Sequence, residues 1–373
     1  MNETIPARGV PGQSSTSILG NRVLRREDAT LLRGQGEYVG NEVFENLLHV
    51  HFVRSTAAHG NILSIDTDDA RAMPGVVAVY TADDLGLVDR PPPLGFFAQE
   101  AKRPFLARGK VRFVGEPVVV VVADSAYRAA DAAEAVWIDI EPLTPVVTVA
   151  AAQAANTLLF EDRSDNVMFE IPTKDPIDFS DCEVVVTEDL WNSRVAAVSI
   201  EGRVAAASFE GEKLTCWASS QGAHDHRDAV AKCLGMETSN VRTIVKDVGG
   251  GFGAKGMVSE EEVVVCQLAR LLGQPVRWVE SRTENLTGYV HGRAQAQTIT
   301  VGGTRDGRVT HYRLDVVQDC GAYPKWGAFC AVNVKTSDDL SVLLHFDRPD
   351  HPPRVLVAAI QVGAVRVSVP LRG

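Results

Sequence analysis

Short apolar runs alternate with turn-forming residues along the first part of the chain and divide it into strands and helices. The clearest run, Val118–Ala123, has the length of a buried strand and is far too short to span a membrane. The pattern predicts strands at Leu47–Arg54, Val76–Thr81, Val111–Val114, Val118–Ala123 and Val136–Ile140, and helices at Asp66–Ala72 and from the N-cap Ser125 to Ala135. Together these elements predict one α+β domain.

A second series of elements begins near Cys182, after a mixed connection with a short helix at Val149–Ala155. Ser259 and Glu262 have the spacing of a capping box at the start of one predicted helix. Strands are predicted at Glu183–Thr187, Val195–Ile200, Val204–Phe209, Leu214–Ser219, Val241–Val248 and Pro275–Glu280, helices at His226–Leu234 and Glu260–Leu272, and a hairpin at Gln297–Val301 and Arg308–Gln318.

These patterns divide the chain into five segments. We predict an extended N-terminal segment over residues 1–34, the α+β domain over 35–145, a connection over 146–175, and the first part of a larger domain over 176–328. The last segment, 329–373, is a tail with an apolar stretch that has no clear helical period, and it does not continue the preceding architecture.

Composition excludes some classes of partner. The formal net charge is −11, from 48 acidic and 37 basic residues, so the surface repels phosphate backbones and we expect no nucleic-acid partner. No apolar run reaches the length of a membrane span, and the polar N-terminus lacks the apolar core of a secretory signal. We therefore expect a cytoplasmic protein.

The cysteine pattern predicts neither a zinc nor an iron–sulfur site in this chain. None of the cysteines forms a CxxC pair, and none lies at metal-ligand spacing from a histidine. They are expected to be reduced thiols, some of them buried, at Cys182, Cys216, Cys233, Cys266, Cys320 and Cys330.

The strongest local motif is the glycine-rich stretch Asp247–Lys255, which is predicted to link a strand to a helix. Glycines let backbone amides approach a ligand closely, and a helix start favours an anion such as a phosphate or a metal-oxo group. A nucleotide P-loop is excluded because Ala254 and Gly256 occupy positions where it needs glycine and a hydroxyl residue.

Three interpretations of this stretch stay open on the motif alone. The residues Gly249, Gly251 and Ala254 fit a dinucleotide fingerprint, and Glu280 at the end of the next predicted strand could then hold a ribose. A molybdopterin-binding loop is the second interpretation. A tight turn with no ligand is the third, and short glycine motifs often match by chance.

The order of several motifs resembles the large subunits of the xanthine oxidase family, especially their carbon monoxide dehydrogenase-like bacterial branch. The resemblance runs from about Ile18 to Trp326. It rests on Leu32–Tyr38, on Val114–Val118 as the marker of a small hammerhead domain, on Tyr127–Ala133 and Glu141–Leu143, on Trp217–Gln221 as the segment with an active-site glutamine, on the glycine loop Asp247–Lys255, and on Asp319–Tyr323.

The resemblance implies an α+β fold in which an aldehyde oxidase/xanthine dehydrogenase a/b hammerhead domain precedes a partial molybdopterin-binding domain. It implies an oxidoreductase that hydroxylates an aldehyde, a heterocycle or a related small molecule with oxygen from water, or that oxidises carbon monoxide. The cofactor would be molybdenum-molybdopterin, in its cytosine dinucleotide form. Electrons would leave through an iron–sulfur small subunit and an FAD-binding medium subunit, and the cofactor would supply the redox chemistry.

The resemblance also assigns site residues. Gln221 would donate its side-chain amide to a molybdenum oxygen, while Gly250, Gly251, Phe252 and Gly253 would contact the pterin or the oxo group. Phe252 would also form a wall of the pocket. Glu201 and Arg203 match a conserved pair for which we expect a structural role, and His224 and His226 are expected on the surface beside a helix.

The sequence departs from the family in two respects. Xanthine-type members carry an acid just after the loop lysine, where this chain has Gly256, and this argues against purine substrates. Family chains are also about twice as long. No residue matches their general-base glutamate, so we expect a truncated chain that does not hydroxylate on its own. An NAD-binding dehydrogenase that uses Gly249–Ala254 and a non-catalytic fragment are the alternatives.

Overall fold

The computed structural model describes residues 24–171, 177–325 and 365–372. Most of the predicted N-terminal segment and most of the tail lie outside these ranges, as does Cys330. Across the described ranges, no helix has both the length and the apolar character needed to cross a membrane.

Most helices begin and end near their predicted bounds. Ser125 caps α3, with its hydroxyl accepting a hydrogen bond from the amide of Arg128, and Ser259 and Glu262 form the predicted capping box of α6. The α-helices of the described ranges are α1 Asp28–Leu31, α2 Asp68–Ala72, α3 Ala126–Glu134, α4 Val149–Ala154, α5 Ala223–Leu234, α6 Glu260–Leu272 and α7 Arg282–Gly288. The helix α1 belongs to a separate N-terminal unit, Met1–Glu37, and every later element to the unit Tyr38–Gly373.

The strands of the described ranges belong to four sheets. In chain order they are β1 Leu48–Arg54, β2 Gly60–Asp66, β3 Val76–Tyr80, β4 Lys110–Val111, β5 Pro117–Ala123, β6 Trp137–Pro142, β7 Phe169–Ile171, β8 Val184–Asn192, β9 Val195–Ala196, β10 Val204–Glu210, β11 Lys213–Ala218, β12 Val241–Ile244, β13 Val276–Val279, β14 His291–Gly292, β15 Gln295–Gly303, β16 Val309–Gln318 and β17 Val365–Arg372.

The largest sheet joins the two halves of the described chain. Its order is β12-β11-β10-β13-β1-β5-β3, so strands from both predicted domains form one mixed sheet. The strand β1 pairs in parallel with β13 and antiparallel with β5, which makes it the junction. A second sheet has the order β7-β17-β16-β15-β8, and its centre is the predicted hairpin β15–β16.

Side chains alternate between the two faces of β5, and this divides the core. Val120 and Val122 pack in the cluster beneath α5 and α6, while Val119 and Val121 pack against α3. Every residue of β5 is buried, as its continuous apolar run predicted. This core fixes the ends of β11 and β12, from which the glycine motif and its neighbours extend.

Several predicted strands have the wrong bounds, because their backbone groups form hydrogen bonds outside the expected strand pairing. Val111–Val114 is a strand only at its start, since the amide of Arg112 donates to the buried Glu116 carboxylate. The strand predicted to reach Val248 ends at Ile244, where its pairing with β11 ends. A β-bulge in β2 breaks the alternation of side chains and hid that strand from the pattern.

The strand predicted over Val195–Ile200 also ends early, at Ala196. Val198 has a φ of +40°, and such a backbone conformation breaks an extended strand. The carbonyls of Ser199 and Ile200 instead accept hydrogen bonds from the Arg282 guanidinium, at 2.6 and 2.8 Å. This irregular segment leads directly to Glu201, which contacts the glycine motif.

Candidate functional site

The glycine motif forms an irregular loop between β12 and a short 3-10 turn at Ala254–Gly256. Gly250, Phe252 and Gly253 have φ values of +102°, +53° and +84°, so the backbone reverses direction in successive residues. The amide of Ala254 donates to the Gly251 carbonyl at 3.0 Å and closes the turn. The Phe252 side chain is 75% exposed, so the loop presents an aromatic ring to solvent.

Gln221, which follows β11, is attached to this loop at both ends. Its backbone amide donates to the Lys255 carbonyl at 3.0 Å, and its Oε1 accepts a hydrogen bond from the Gly253 amide at 2.9 Å. Because an N–H group needs an acceptor, this contact fixes the amide oxygen toward the loop. The side-chain NH2 group makes no hydrogen bond with any described residue and is left to donate to a ligand.

The close packing of Gln221 on the loop requires glycine at position 251. A Cβ atom at Gly251 would lie 2.6 Å from the Gln221 side chain, and one at Gly250 would lie 2.9 Å from the Phe252 ring. By contrast, a Cβ atom at Gly256 would meet nothing within 4 Å. The predicted site residues Gln221, Gly250, Gly251, Phe252 and Gly253 thus lie together.

Backbone amides of the loop are available for an anionic group. Over the described ranges, the backbone amides of three consecutive residues, Gly250, Gly251 and Phe252, donate no hydrogen bond. Consecutive free amides in such a turn form a concave site for anions. The loop can therefore accept an anionic group such as an oxo or phosphate group, and the unpaired NH2 group of Gln221 is a further donor on the same loop.

A buried ion pair supports the loop from below. The Lys255 ammonium donates to the Glu201 carbonyl at 2.9 Å, to Glu201 Oε2 at 3.0 Å and to Ser219 Oγ at 2.7 Å. Glu201 Oε2 also accepts from the Gly249 amide at 2.8 Å and from the Ser219 hydroxyl at 2.5 Å. Glu201 has the structural role expected of it. Lys255 was not singled out as a separate residue, although it ends the glycine motif.

A second ionic network connects Arg203 to the same region. The Arg203 guanidinium is buried, pairs with Glu261 at 2.7 Å and with Glu280 at 2.5 Å, and stacks on the Tyr289 ring at 4.1 Å. The Tyr289 hydroxyl in turn donates to the Ala254 carbonyl of the loop. The sequence did not point to Tyr289 as a site residue, because nothing in its local sequence marks it. The nearest recognisable signal is the capping box of α7, which Ser281 and Glu284 form.

Two residues do not have the roles that the sequence suggested. Glu280 does not match the ribose-binding acid of a dinucleotide site, because its side chain is buried and bound to Arg203 and to the amide of Asn285. His226 is not on the surface but is 3% exposed, with its Nε2 at 3.7 Å from the Glu262 carboxylate. A helix pattern alone does not show which face of α5 a neighbouring helix covers.

One group of potential metal ligands is present in the described ranges, namely Asp181, Cys182 and His311. His311 Nδ1 lies 3.3 Å from Cys182 Sγ, whereas its other nitrogen, Nε2, lies 3.6 Å from Asp181 Oδ1. Cys182 Sγ also lies 3.7 Å from Asp181 Oδ1, so one ligand atom of each side chain lies within 4.8 Å of the others. The cysteine pattern did not predict this cluster, because His311 is 129 residues from Cys182. The arrangement is that of hydrogen-bonded side chains at the start of β8.

A cavity of about 460 Å³ lies near the loop. Tyr289, whose hydroxyl bonds to the loop, lines this cavity, together with cationic side chains such as Arg103 and Arg112. Glu116 is buried close by and accepts hydrogen bonds from the Tyr323 hydroxyl and the Arg112 amide. Burial raises the pKa of the Glu116 carboxyl despite these donors.

Comparison with known proteins identifies two matched regions. Residues 33–144 match the family described as aldehyde oxidase and xanthine dehydrogenase, a/b hammerhead domain, and residues 159–337 match the molybdopterin cofactor-binding domain. Both descriptions agree with the resemblance found in the motifs.

Relatives with curated names belong to the same group. The chain is 36% identical to the nicotine 6-hydroxylase large subunit of Paenarthrobacter nicotinovorans, over 82% of this chain and 39% of that one. It is 35% identical to the carbon monoxide dehydrogenase large chain of Afipia carboxidovorans, over 82% of this chain and 40% of that one. The chain thus spans about two fifths of the length of these relatives.

A solved structure has the same fold. Quinoline 2-oxidoreductase from Pseudomonas putida 86 aligns with a TM-score of 0.79 at 32% identity, over 95% of this chain and 45% of that one. The matched regions, the relatives and this structure agree on one assignment. The chain belongs to the xanthine oxidase family, among the molybdopterin-binding large subunits, and has their α+β fold with a hammerhead domain ahead of the cofactor-binding sequence.

Proposed function

We propose that this chain supplies one wall of a molybdopterin cofactor site in an oxidoreductase. The substrate class is an aldehyde, a nitrogen heterocycle or a related small molecule that is hydroxylated with oxygen from water, or carbon monoxide that is oxidised. The observation that carries the proposal is the arrangement of Gln221 on the glycine loop, with its NH2 group and the amides of Gly250, Gly251 and Phe252 all free to donate.

When bound, the cofactor supplies the redox chemistry, and the protein supplies position and electrostatics. Gln221 and the free loop amides hold and orient the anionic groups of the cofactor. They are held in place before binding, so little reorganisation is needed. The exposed Phe252 ring would form a wall of the cofactor pocket. The sequence around Gly256 lacks the acid of xanthine-type members, which supports small substrates other than purines.

We propose the cytosine dinucleotide form of the cofactor and two partner subunits, one with iron–sulfur clusters and one with FAD. Support comes from relatives named as a large subunit, a large chain and subunit gamma of a complex. Acid hydrolysis of the purified protein should then release CMP. Affinity purification from the native host should recover iron, FAD and two further polypeptides with this chain.

Replacement of Gly251 by valine tests the cofactor site. A side chain there would collide with Gln221, because even its first carbon atom lies 2.6 Å away, so the Gln221 amide and the loop must separate. We expect the molybdenum content of the native complex to fall several-fold on Gly251→Val. The matched control is Gly256→Val, where a Cβ meets nothing within 4 Å and the content should be retained.

Equal molybdenum content in the two variants would contradict the proposal. The dinucleotide alternative makes a different prediction, namely NAD binding that is lost on Gly251→Val. The buried and paired Glu280 leaves that alternative without its ribose ligand. Absence of molybdenum, NAD and partner subunits from the unaltered protein would favour a non-catalytic role.

A further inference from the structure

Three elements that are distant in sequence converge on one buried amino group, that of Lys255. Lys255 as a whole residue is 2% exposed. The three N–H donors of its ammonium group have three acceptors, which lie on Glu201 and Ser219. Ser219 directly follows β11, Glu201 follows the irregular segment after β9, and Lys255 ends the glycine loop. A buried lysine with all three donors paired is held in a single geometry.

The backbone of Lys255 connects the same point to Gln221. Its carbonyl accepts from the Gln221 amide at 3.0 Å and from the Ser220 hydroxyl at 3.3 Å. Its side chain meanwhile holds Glu201, whose carboxylate accepts a hydrogen bond from the Gly249 amide at 2.8 Å. The Glu201 amide in turn donates to the Gly249 carbonyl at 3.2 Å. Lys255 therefore bonds, directly or through Glu201, to both ends of the loop and to the glutamine packed on it.

The pair also sets the charge beneath the loop. Glu201 Oε2 lies 2.8 Å from the amide nitrogen of Gly249, directly before the free amides of Gly250 and Gly251. An unbalanced carboxylate at that distance would oppose an anionic ligand on those amides. The Lys255 ammonium, 3.0 Å from Oε2, balances this charge.

We infer that Lys255 is a positioning residue, which through Glu201 and Ser219 keeps the glycine loop and Gln221 in one arrangement and keeps the charge beneath them neutral. The part of this inference that concerns a molybdopterin ligand rests on the proposed function. The positioning itself concerns only residues of this chain and is tested without a cofactor.

The test compares Lys255→Met with Lys213→Met, which removes an exposed lysine from β11. Hydrogen–deuterium exchange is measured on the amides of Gln221, Gly249 and Gly253 in the full-length chain. Lys255→Met should raise their exchange rates about tenfold or more, as expected when a buried charged hydrogen-bond network is lost, and Lys213→Met should leave them unchanged. Ser219→Ala removes one of the three acceptors and should give a smaller increase while the chain stays folded.

Unchanged exchange at these amides in both Lys255→Met and Ser219→Ala would overturn the inference, whatever the cofactor does. A second readout concerns charge. In the native complex, Lys255→Met should lower molybdenum content more than the double variant Lys255→Met/Glu201→Gln, in which no uncompensated carboxylate remains. Faster exchange combined with unaltered molybdenum content in every variant would support the positioning role and contradict the proposed cofactor site instead.

Discussion

The role proposed for Gln221 depends on the orientation of one amide group. A glutamine side chain has a donor end and an acceptor end, and the Gly253 amide occupies the acceptor. The donor end is therefore left without a hydrogen-bond partner among the described residues. An exposed glutamine without this contact would rotate between orientations and contribute little to binding an anion.

Replacement of Gln221 by glutamate tests this orientation. Glutamate keeps an oxygen for Gly253 but replaces the NH2 donor by a second anionic oxygen, so it should repel an anionic cofactor group. We expect kcat/KM of the native complex to fall by about 10²–10³-fold, the usual cost of one lost donor at a charged site. The exposed Gln153→Glu on α4 is the control, and equal activity in both variants would show that the Gln221 donor is not used.

At the scale of elements, α6 anchors the site through three consecutive buried glutamates. Glu260 pairs with Arg103 at 3.1 Å and Glu261 with Arg203 at 2.7 Å, while Glu262 caps the helix. Burial alone would raise the pKa of Glu260, but Arg103, Lys325 and Arg90 lower it to about 2. Isolated buried carboxylates would be strongly destabilising, so the surrounding cations determine whether α6 can pack here.

The contact between α5 and α6 should make stability depend on pH. Burial lowers the pKa of His226, but Cys216 and the Glu262 carboxylate outweigh this effect and raise it from 6.5 to about 10. A raised pKa in the folded state stabilises the protein fully below 6.5, and the contribution is lost as pH rises toward 10.

We therefore expect His226→Gln to lower the free energy of unfolding at pH 6 and to have a much smaller effect near pH 10. Urea titrations of both proteins under reducing conditions measure this difference, since Cys216 and Cys266 are close neighbours. A difference that is the same at both pH values would show that the imidazole is not charged in the folded protein.

At the scale of the whole molecule, the edge strand β8 of the second sheet exposes apolar side chains to solvent. It pairs with β15 on one side, and no strand of the described ranges pairs with its other side. Its exposed apolar side chains are Val184, Val185, Val186, Leu190 and Trp191. An unpaired edge with such side chains promotes association with other chains.

A single charge on this edge should reduce self-association. Val185 is 46% exposed, so Val185→Lys should change the free energy of unfolding by less than about 0.5 kcal/mol. Aggregation during concentration, followed by light scattering, should nevertheless decrease. The exposed Leu271→Lys, on helix α6 and 47% exposed, is the matched control, and an equal effect of the two variants would show that net charge matters more than the edge.

The sequence by itself determined the elements whose signals are local. The buried run of β5, the capped helices α3 and α6 and the hairpin β15–β16 follow from hydrophobic period, capping residues and turn residues within a few positions. The glycine loop was also recognisable, because its composition restricts its backbone. The order of such motifs was enough to indicate the family.

Only the tertiary structure decided how distant residues meet. The contacts of Gln221 with Gly253, of Lys255 with Glu201, and of Glu280 with Arg203 join segments separated by 32 to 77 residues. Which partner a buried charge finds depends on the packing of sheets and helices, since each alternative pairing is equally compatible with the local sequence. For the same reason the sequence indicated a ligand loop at Asp247–Lys255 but left open which ligand it holds, and the buried pairing of Glu280 leaves the dinucleotide alternative without its ribose ligand.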